Sequence, residues 1–330
     1  MLRNTLKTLL SSFGPSGSEK NVANTIKTLL AGHVDSLRQD ALGNIIVEKY
    51  GTDDDAKRIM ISAHMDQIGY IVVAIEDEGY LRVQPVGGIN LNMCHGRHVI
   101  FENSVDGVLY QQPVKDGKPT INDFFIDIGA ENKEEAESMV QLGDMCVYVP
   151  DVFTIGKDKV CGPAMDNRSA CALLVELLLT AENQKNTIVG VFSTQEEVGL
   201  RGATVAAYGI DPDIGLAIDV TGAGDTPEVK LPQLKLGAGP ANKIKDRSLI
   251  SSMPVREKIF EAAEAAHVEM QREVLPYGGT DGAAIQNTRS GVPTGVISIP
   301  CRYVHSPCET IDMRDMEGAL KVLLEFVDLA

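Results

Sequence analysis

The sequence predicts an α/β protein in which the two ends of the chain build one domain and the middle contributes a β-rich insertion. Three observations carry this reading. Strand-length apolar runs alternate with helical periodicity over 1–68 and 162–330, and short apolar stretches broken by Gly, Pro and Asp fill 69–161. Ionisable residues stand where several apolar runs stop.

Near the N-terminus, Val22, Ile26, Leu29 and Leu30 share one face of a helix that begins at about Ser18-Glu19. Turn clusters at 40–44 and 51–55 flank a strand over Ile45–Tyr50. Arg58–Ala63 is a short apolar run that ends at His64-Met65-Asp66. In the middle, Ile71–Ala74, Leu81–Val83, Val99–Phe101, Val105–Leu109 and Cys146–Val149 read as strands of a small barrel or sandwich. One helix interrupts them at 133–142, with Asn132 as its cap and Glu135 at the capping-box position. Beyond Cys161, the segment Ser169–Thr180 is apolar nearly all round and reads as a buried helix. Strands follow at Ile188–Ser193, Ile214–Ile218 and Val292–Ile299, with helices near Pro254–His267, Thr280–Gln286 and Met316–Val327.

At 330 residues the chain is long enough for a large core and more than one domain. A formal charge of −16 argues against nucleic acid or an anionic membrane as partner. The N-terminus lacks a continuous apolar segment of the signal-peptide kind, and the most apolar stretch, 170–179, is too short to span a bilayer and contains Glu176. Six cysteines without C-x-x-C spacing read as reduced thiols of a cytoplasmic protein.

The chemistry lies at the ends of the apolar runs. His64 and Asp66 follow Ile59–Ala63, Glu196 and Glu197 follow Ile188–Thr194, Asp219 follows Ile214–Ile218, and His305 lies just beyond Val292–Pro300. Asp166 precedes the buried helix. Ligands of open α/β sheets gather outside the carboxyl ends of the strands. Adjacent carboxylates such as Glu196 and Glu197 raise one another's pKa unless a cation or proton intervenes. Singly, each residue has a plainer reading: a structural histidine, an N-cap at Asp166, a turn at Asp219, a solvated helix start at Glu196-Glu197. Jointly, they converge on one edge. Asp166, Glu197 and Asp219 bring three negative charges against two divalent cations, leaving one positive charge for a hydroxide to balance. Such N/O donors suit zinc, cobalt or manganese. His95 and His98 lack comparable company and read as structural or surface residues.

Ser62–Gly69, Met165–Arg168, Thr194–Gly202, Ala217–Thr221, Gly278–Asp281, Gly291–Pro300 and Arg302–Pro307 occur in this order from end to end of the α/β part. Looser matches, Val86-Gly-Gly88 and Phe125–Ala130, lie in the insertion. In these stretches the chain resembles the TET-type (tetrahedral) dinuclear metallo-aminopeptidases, the family that includes glutamyl and deblocking aminopeptidases. Departures are small: Gly282 follows Asp281 where Ala is more usual, and Pro163-Ala-Met precedes Asp166 where Lys-Ala-Leu is common.

The resemblance implies a zinc-peptidase-like α/β/α catalytic domain from 1–68 and 162–330, with an inserted β-barrel-like dimerisation domain at 69–161. It implies two divalent metal ions per subunit, zinc or cobalt, with manganese as a further option. Asp166 would bridge the two, His64 and Asp219 would complete one, and Glu197 with His305 the other. Glu196 would be the general base, and Asp66 the carboxylate that orients His64; two residues on, it falls on the same side of the strand. The activity implied is release of N-terminal residues from short peptides with a free N-terminus, in a homo-oligomer whose dimers assemble into a tetrahedral dodecamer. The ligand set alone also fits a carboxypeptidase, an N-acyl-amino-acid deacylase or a glycan-directed hydrolase, and a silent peptide-binding shell is a rival from another class. Arg302 or Arg247 could receive an acidic P1 side chain; acidic and apolar preferences both stay open.

Overall fold

The computed structural model describes residues 1–114, 117–227, 229 and 233–330. Helices α1 (Leu2–Leu10) and α2 (Lys20–Leu30) precede a hairpin of β1 (Ser36–Gln39) and β2 (Ile45–Lys49), then β3 (Arg58–His64). The middle of the chain supplies β4 (Gly69–Ile75), β5 (Leu81–Val86), β6 (Arg97–Phe101), β7 (Asp106–Gln111), β8 (Phe124–Asp127), α3 (Lys133–Met139) and β9 (Met145–Tyr148). After β10 (Phe153–Ile155) and β11 (Lys159–Gly162) come α4 (Met165–Thr180), β12 (Thr187–Ser193), α5 (Arg201–Ile210) and β13 (Ile214–Gly222). The chain ends with β14 (Ala241–Lys245), α6 (Met253–Ala265), β15 (Gln271–Val274), α7 (Asp281–Gln286), β16 (Thr294–Arg302), β17 (Glu309–Asp312) and α8 (Met313–Leu329).

The large sheet runs in the order β1-β2-β12-β3-β13-β16-β17-β11-β10, with β14 on β16 and β15 on β14. Its centre, β12, β3, β13 and β16, is parallel. All residues of β12 and all but the first of β3 are buried, as expected of strands covered on both faces. One face packs against α1, α2, α4, α6 and α8 around Leu6, Leu173, Leu177, Ile259 and Phe326. The other packs against α5 and α7 through Ala206, Ala207, Ile210 and Ile285. The result is a three-layer α/β/α unit. Strands β4-β5-β8-β7-β6-β9 close into a separate barrel with its own core, including Tyr70, Leu81, Phe101, Leu109, Phe124 and Ile126.

Several expectations shift in detail. Asp219 lies inside β13, which runs on to Gly222 instead of stopping at Ile218, because β16 pairs with it as far as Cys301. A further helix, α1, precedes the first expected one, and its Leu2, Leu6, Leu9 and Leu10 are buried in the main core. A further strand, β8, closes the barrel between β5 and β7. Strand β10 lies inside the 69–161 segment and β11 crosses its end at Gly162, yet both belong to the large sheet. Asn132 caps α3 as expected, accepting the Glu135 N–H at 3.0 Å, but Glu135 turns back to the Glu131 N–H instead of that of Asn132.

Candidate metal centre

The register of the parallel strands brings the polar residues to one edge. Ser193 of β12 lies opposite His64 of β3, and Ala217 of β13 opposite Ser62, so Asp219 comes level with His64 and Glu196-Glu197 lie just past it. On the far side, β16 ends at Arg302 and a short loop carries His305 in a left-handed conformation, φ +60°. Asp166 sits at the entry to α4, where it and Asn167 leave helical geometry. It is no N-cap: that position is Ala164, and Asp166 points into the cluster. The Glu196-Glu197 pair lies in the turn before α5, not on a solvated helix start.

His64 Nε2 is 3.1 Å from Asp166 Oδ1, 3.6 Å from Asp219 Oδ1 and 4.0 Å from Glu196 Oε2. His305 Nε2 is 3.2 Å from Asp166 Oδ2 and 3.2 Å from Glu197 Oε1. The donors fall into two groups of cation-binding size, His64 with Glu196 and Asp219, and Asp166 with Glu197 and His305. Asp166 faces both, one oxygen toward each imidazole. All six expected residues therefore meet, with Asp66 behind His64.

Four carboxylates and two imidazoles share this buried space, and each distorts the titration of the others. Burial works against a charged His64, yet the carboxylates of Glu196, Asp166, Asp219 and Asp66 outweigh it and raise its pKa well above the ordinary value. His305 is pushed up to about 12: burial opposes this, and contacts with Asp166 and Glu197 prevail. Burial raises Glu197 to about 7 and Asp219 to about 6, against the pull of His305 and His64 respectively. Without cations the cluster thus demands protons. Glu197 Oε1 is buried, and His305 Nε2 at 3.2 Å approaches it without completing a hydrogen bond. A buried set of N/O donors whose carboxylates lack full hydrogen-bond pairing fits divalent cations, which would replace those protons.

A family model described as M42 glutamyl aminopeptidase matches residues 43–322. The chain belongs to this family. A protein of Acetivibrio thermocellus carrying an aminopeptidase name is 44% identical over 324 residues, covering 98% of this chain and 97% of its own. The solved aminopeptidase APDkam598 of the archaeon Desulfurococcus kamchatkensis is 37% identical with a TM-score of 0.96, covering 100% of this chain and 95% of its own. The TET1 peptidase of Pyrococcus horikoshii, described as assembling into a tetrahedron or a large octahedral shell, is 33% identical with a TM-score of 0.89, covering 100% and 99%. As an M42 member the chain is a peptidase of the metal-dependent aminopeptidase kind, with the TET-type fold.

The M42 centre opens into a cleft of about 610 Å³ whose further wall includes Lys243, Leu275, Tyr277, Tyr303 and Val304. The segment that leaves the barrel after β5 contributes Gly88 to the lining of the cleft, with Gly87 beside it. A Cβ on Gly87 (φ +84°) would meet Glu197 Cβ at 3.2 Å, and one on Gly88 would meet His305 Nδ1 at 3.1 Å. Those glycines let the segment after β5 cross directly over two of the clustered side chains. Arg302 is clamped by Asp225 through two bonds of 2.7 and 2.6 Å, so the sequence-based role of receiving an acidic substrate side chain does not fit it.

Sequence reasoning missed several supporting residues. Arg168, fully buried, donates to the carbonyls of Leu9, Ser12, Gly14 and Met65 and to Gln67 Oε1. Asp281 accepts from Ser62 and Ser193 beneath the β3–β12 edge. Lys243 is paired with Glu273 at 3.0 Å and Asp246 at 3.4 Å. Arg168 and Asp281 lay inside the quoted motif stretches, and Lys243 lay outside them with no signal in the sequence. Among the described residues, no helix is long and apolar enough to cross a membrane.

Proposed function

We propose that this M42 member is a dinuclear aminopeptidase that releases N-terminal residues from short peptides. The observation that carries the reading is the division of Asp166, whose Oδ1 faces His64 and Oδ2 faces His305. A carboxylate so placed would be able to serve two cations at once. In this reading His64 and Asp219 complete one site and Glu197 with His305 the other, while Asp66 orients His64.

When bound, the two cations supply Lewis acidity toward the scissile carbonyl and the attacking water. Glu196 is the general base. Its side chain is largely buried, and burial raises its pKa, opposed by His64 and reinforced by Asp219 and Glu197. It takes a proton from the attacking water and returns it to the departing amine. The cleft wall, with Leu275, Tyr277 and Tyr303, receives the N-terminal side chain.

Zinc or cobalt suits the donor set best, with manganese as a further option. Residues 1–68 and 162–330 form the catalytic unit and 69–161 the insertion, whose barrel serves dimerisation. The tetrahedral or octahedral assembly described for the Pyrococcus horikoshii relative supports a homo-oligomer; in this reading dimers of the chain combine into a tetrahedral dodecamer. A cytoplasmic location accords with the cysteine usage, and the acidic charge argues against nucleic-acid and membrane partners.

The test is an assay on metal-stripped protein reloaded with zinc, cobalt or manganese. A free-amine peptide should be cleaved from its N-terminus, its N-acetylated form spared and its C-terminally blocked form still cleaved. Cleavage of the acetylated substrate, or dependence on a free carboxylate, would assign the site to a deacylase or carboxypeptidase instead.

A further inference from the structure

Glu309 is 1% exposed and opens β17 at the point where two segments of the cluster pass each other. It pairs with Gly162 of β11, the strand that leads through Pro163 to Asp166. The loop before it carries His305. Both carboxylate oxygens are committed to backbone: Oε2 accepts the Asp166 N–H at 2.9 Å and Oε1 accepts the His305 N–H at 2.6 Å. Neither oxygen belongs to the two donor groups. His305 stands at φ +60°, a region costly for a residue with a side chain, so its loop needs outside restraint.

The geometry points to Glu309 as the positioning residue for one half of the dinuclear centre, the half built from Asp166, Glu197 and His305. The inference rests on the dinuclear reading given above. Asp66 holds the other half: it lies behind His64 and accepts the Glu196 and Glu197 N–H groups at 3.0 and 3.2 Å. Asp66 thus reaches into both halves through the Glu197 N–H, whereas the backbone bonds of Glu309 go to Asp166 and His305, and Asp166 is shared between the halves. A glutamine at 309 has one acceptor oxygen; its NH₂ would confront one of the two backbone N–H donors, and the local geometry would open there.

The test is a calorimetric titration of stripped wild-type protein, E309Q and H305A with Co²⁺, alongside the visible absorption of the bound ion. Wild type should show two binding steps. In E309Q the step that H305A abolishes should weaken about 10- to 100-fold, and clearly more than the other, which Glu309 reaches through the shared Asp166 alone. Two unchanged steps in E309Q, or two weakened alike, would overturn the role of Glu309. A stoichiometry of one ion per chain in the wild type would instead overturn the dinuclear reading, and this inference with it. Should E309Q fail to fold, hydrogen exchange on metal-free wild type decides: the Asp166 and His305 amides should exchange slowly, and rates like those of exposed loops would refute their restraint by Glu309.

Discussion

Asp66 approaches His64 from behind with two acceptors, its carboxylate Oδ1 at 3.4 Å and its backbone carbonyl at 3.1 Å from Nδ1. Two acceptors on that side keep the proton of the neutral imidazole on Nδ1, so the proton that metal loading expels is the one on Nε2. The same carboxylate takes the Ser16 hydroxyl at 2.6 Å and the N–H groups of Glu196 and Glu197. D66N keeps the carbonyl acceptor, and so the tautomer, but its amide faces one of those N–H donors. Metal affinity should fall about 10- to 100-fold with the fold retained. Metal content after dialysis against graded chelator checks this; wild-type retention would leave Asp66 without its supporting role.

E196Q separates proton transfer from metal binding. The substitution keeps size and hydrogen-bonding capacity but cannot take a proton. Turnover should drop by about 10²- to 10⁴-fold, with metal content and melting temperature close to wild type. Activity near the wild-type level would remove Glu196 from the mechanism.

Metal loading should release protons near neutral pH. The sign follows from the imidazoles. Both His64 and His305 have raised pKa values, His305 up to about 12, so the metal-free protein carries those protons at pH 7. An imidazole must be neutral to ligate, so binding expels them and apparent affinity rises with pH. Burial also lifts Glu197 to about 7, which adds to the release below that pH. Calorimetry in two buffers of different ionisation enthalpy counts the protons. Uptake on loading, or affinity falling as pH rises from 6 to about 8, would contradict the arrangement.

G88A tests the barrel's contact with the centre. The added methyl would stand 3.1 Å from His305 Nδ1 and 3.3 Å from Cε1, closer than ordinary contact. Displacing the imidazole by a few tenths of an ångström should lower kcat on the order of tenfold and leave the melting temperature nearly unchanged. Thermal melting and steady-state kinetics on the same preparation provide the comparison.

R168M tests the guanidinium that binds the N-terminal segment to the sheet edge. Losing it strands the carbonyls of Leu9, Ser12, Gly14 and Met65 in a buried setting. Each unsatisfied group costs about 1–3 kcal/mol, so destabilisation of at least about 3 kcal/mol is expected. Denaturant midpoints at constant slope measure it.

Taken by itself, the sequence determined the alternation of strands and helices, the β-rich middle, and the residues that gather at the strand ends. Apolar periodicity is local and survives in one dimension, so β3, β12 and α4 were legible, as were His64, Glu196 and Glu197 beside them. Tertiary structure alone decided the barrel's closure through β8, the place of Asp219 within β13, and the division of Asp166 between two imidazoles. It also decided the work of Glu309 and Arg168. These two residues act on backbone N–H and carbonyl groups, which every residue possesses, so their partners leave no mark in residue type or spacing. Where a carboxylate oxygen points depends on the register of several strands at once, and that is settled only when the sheet has formed.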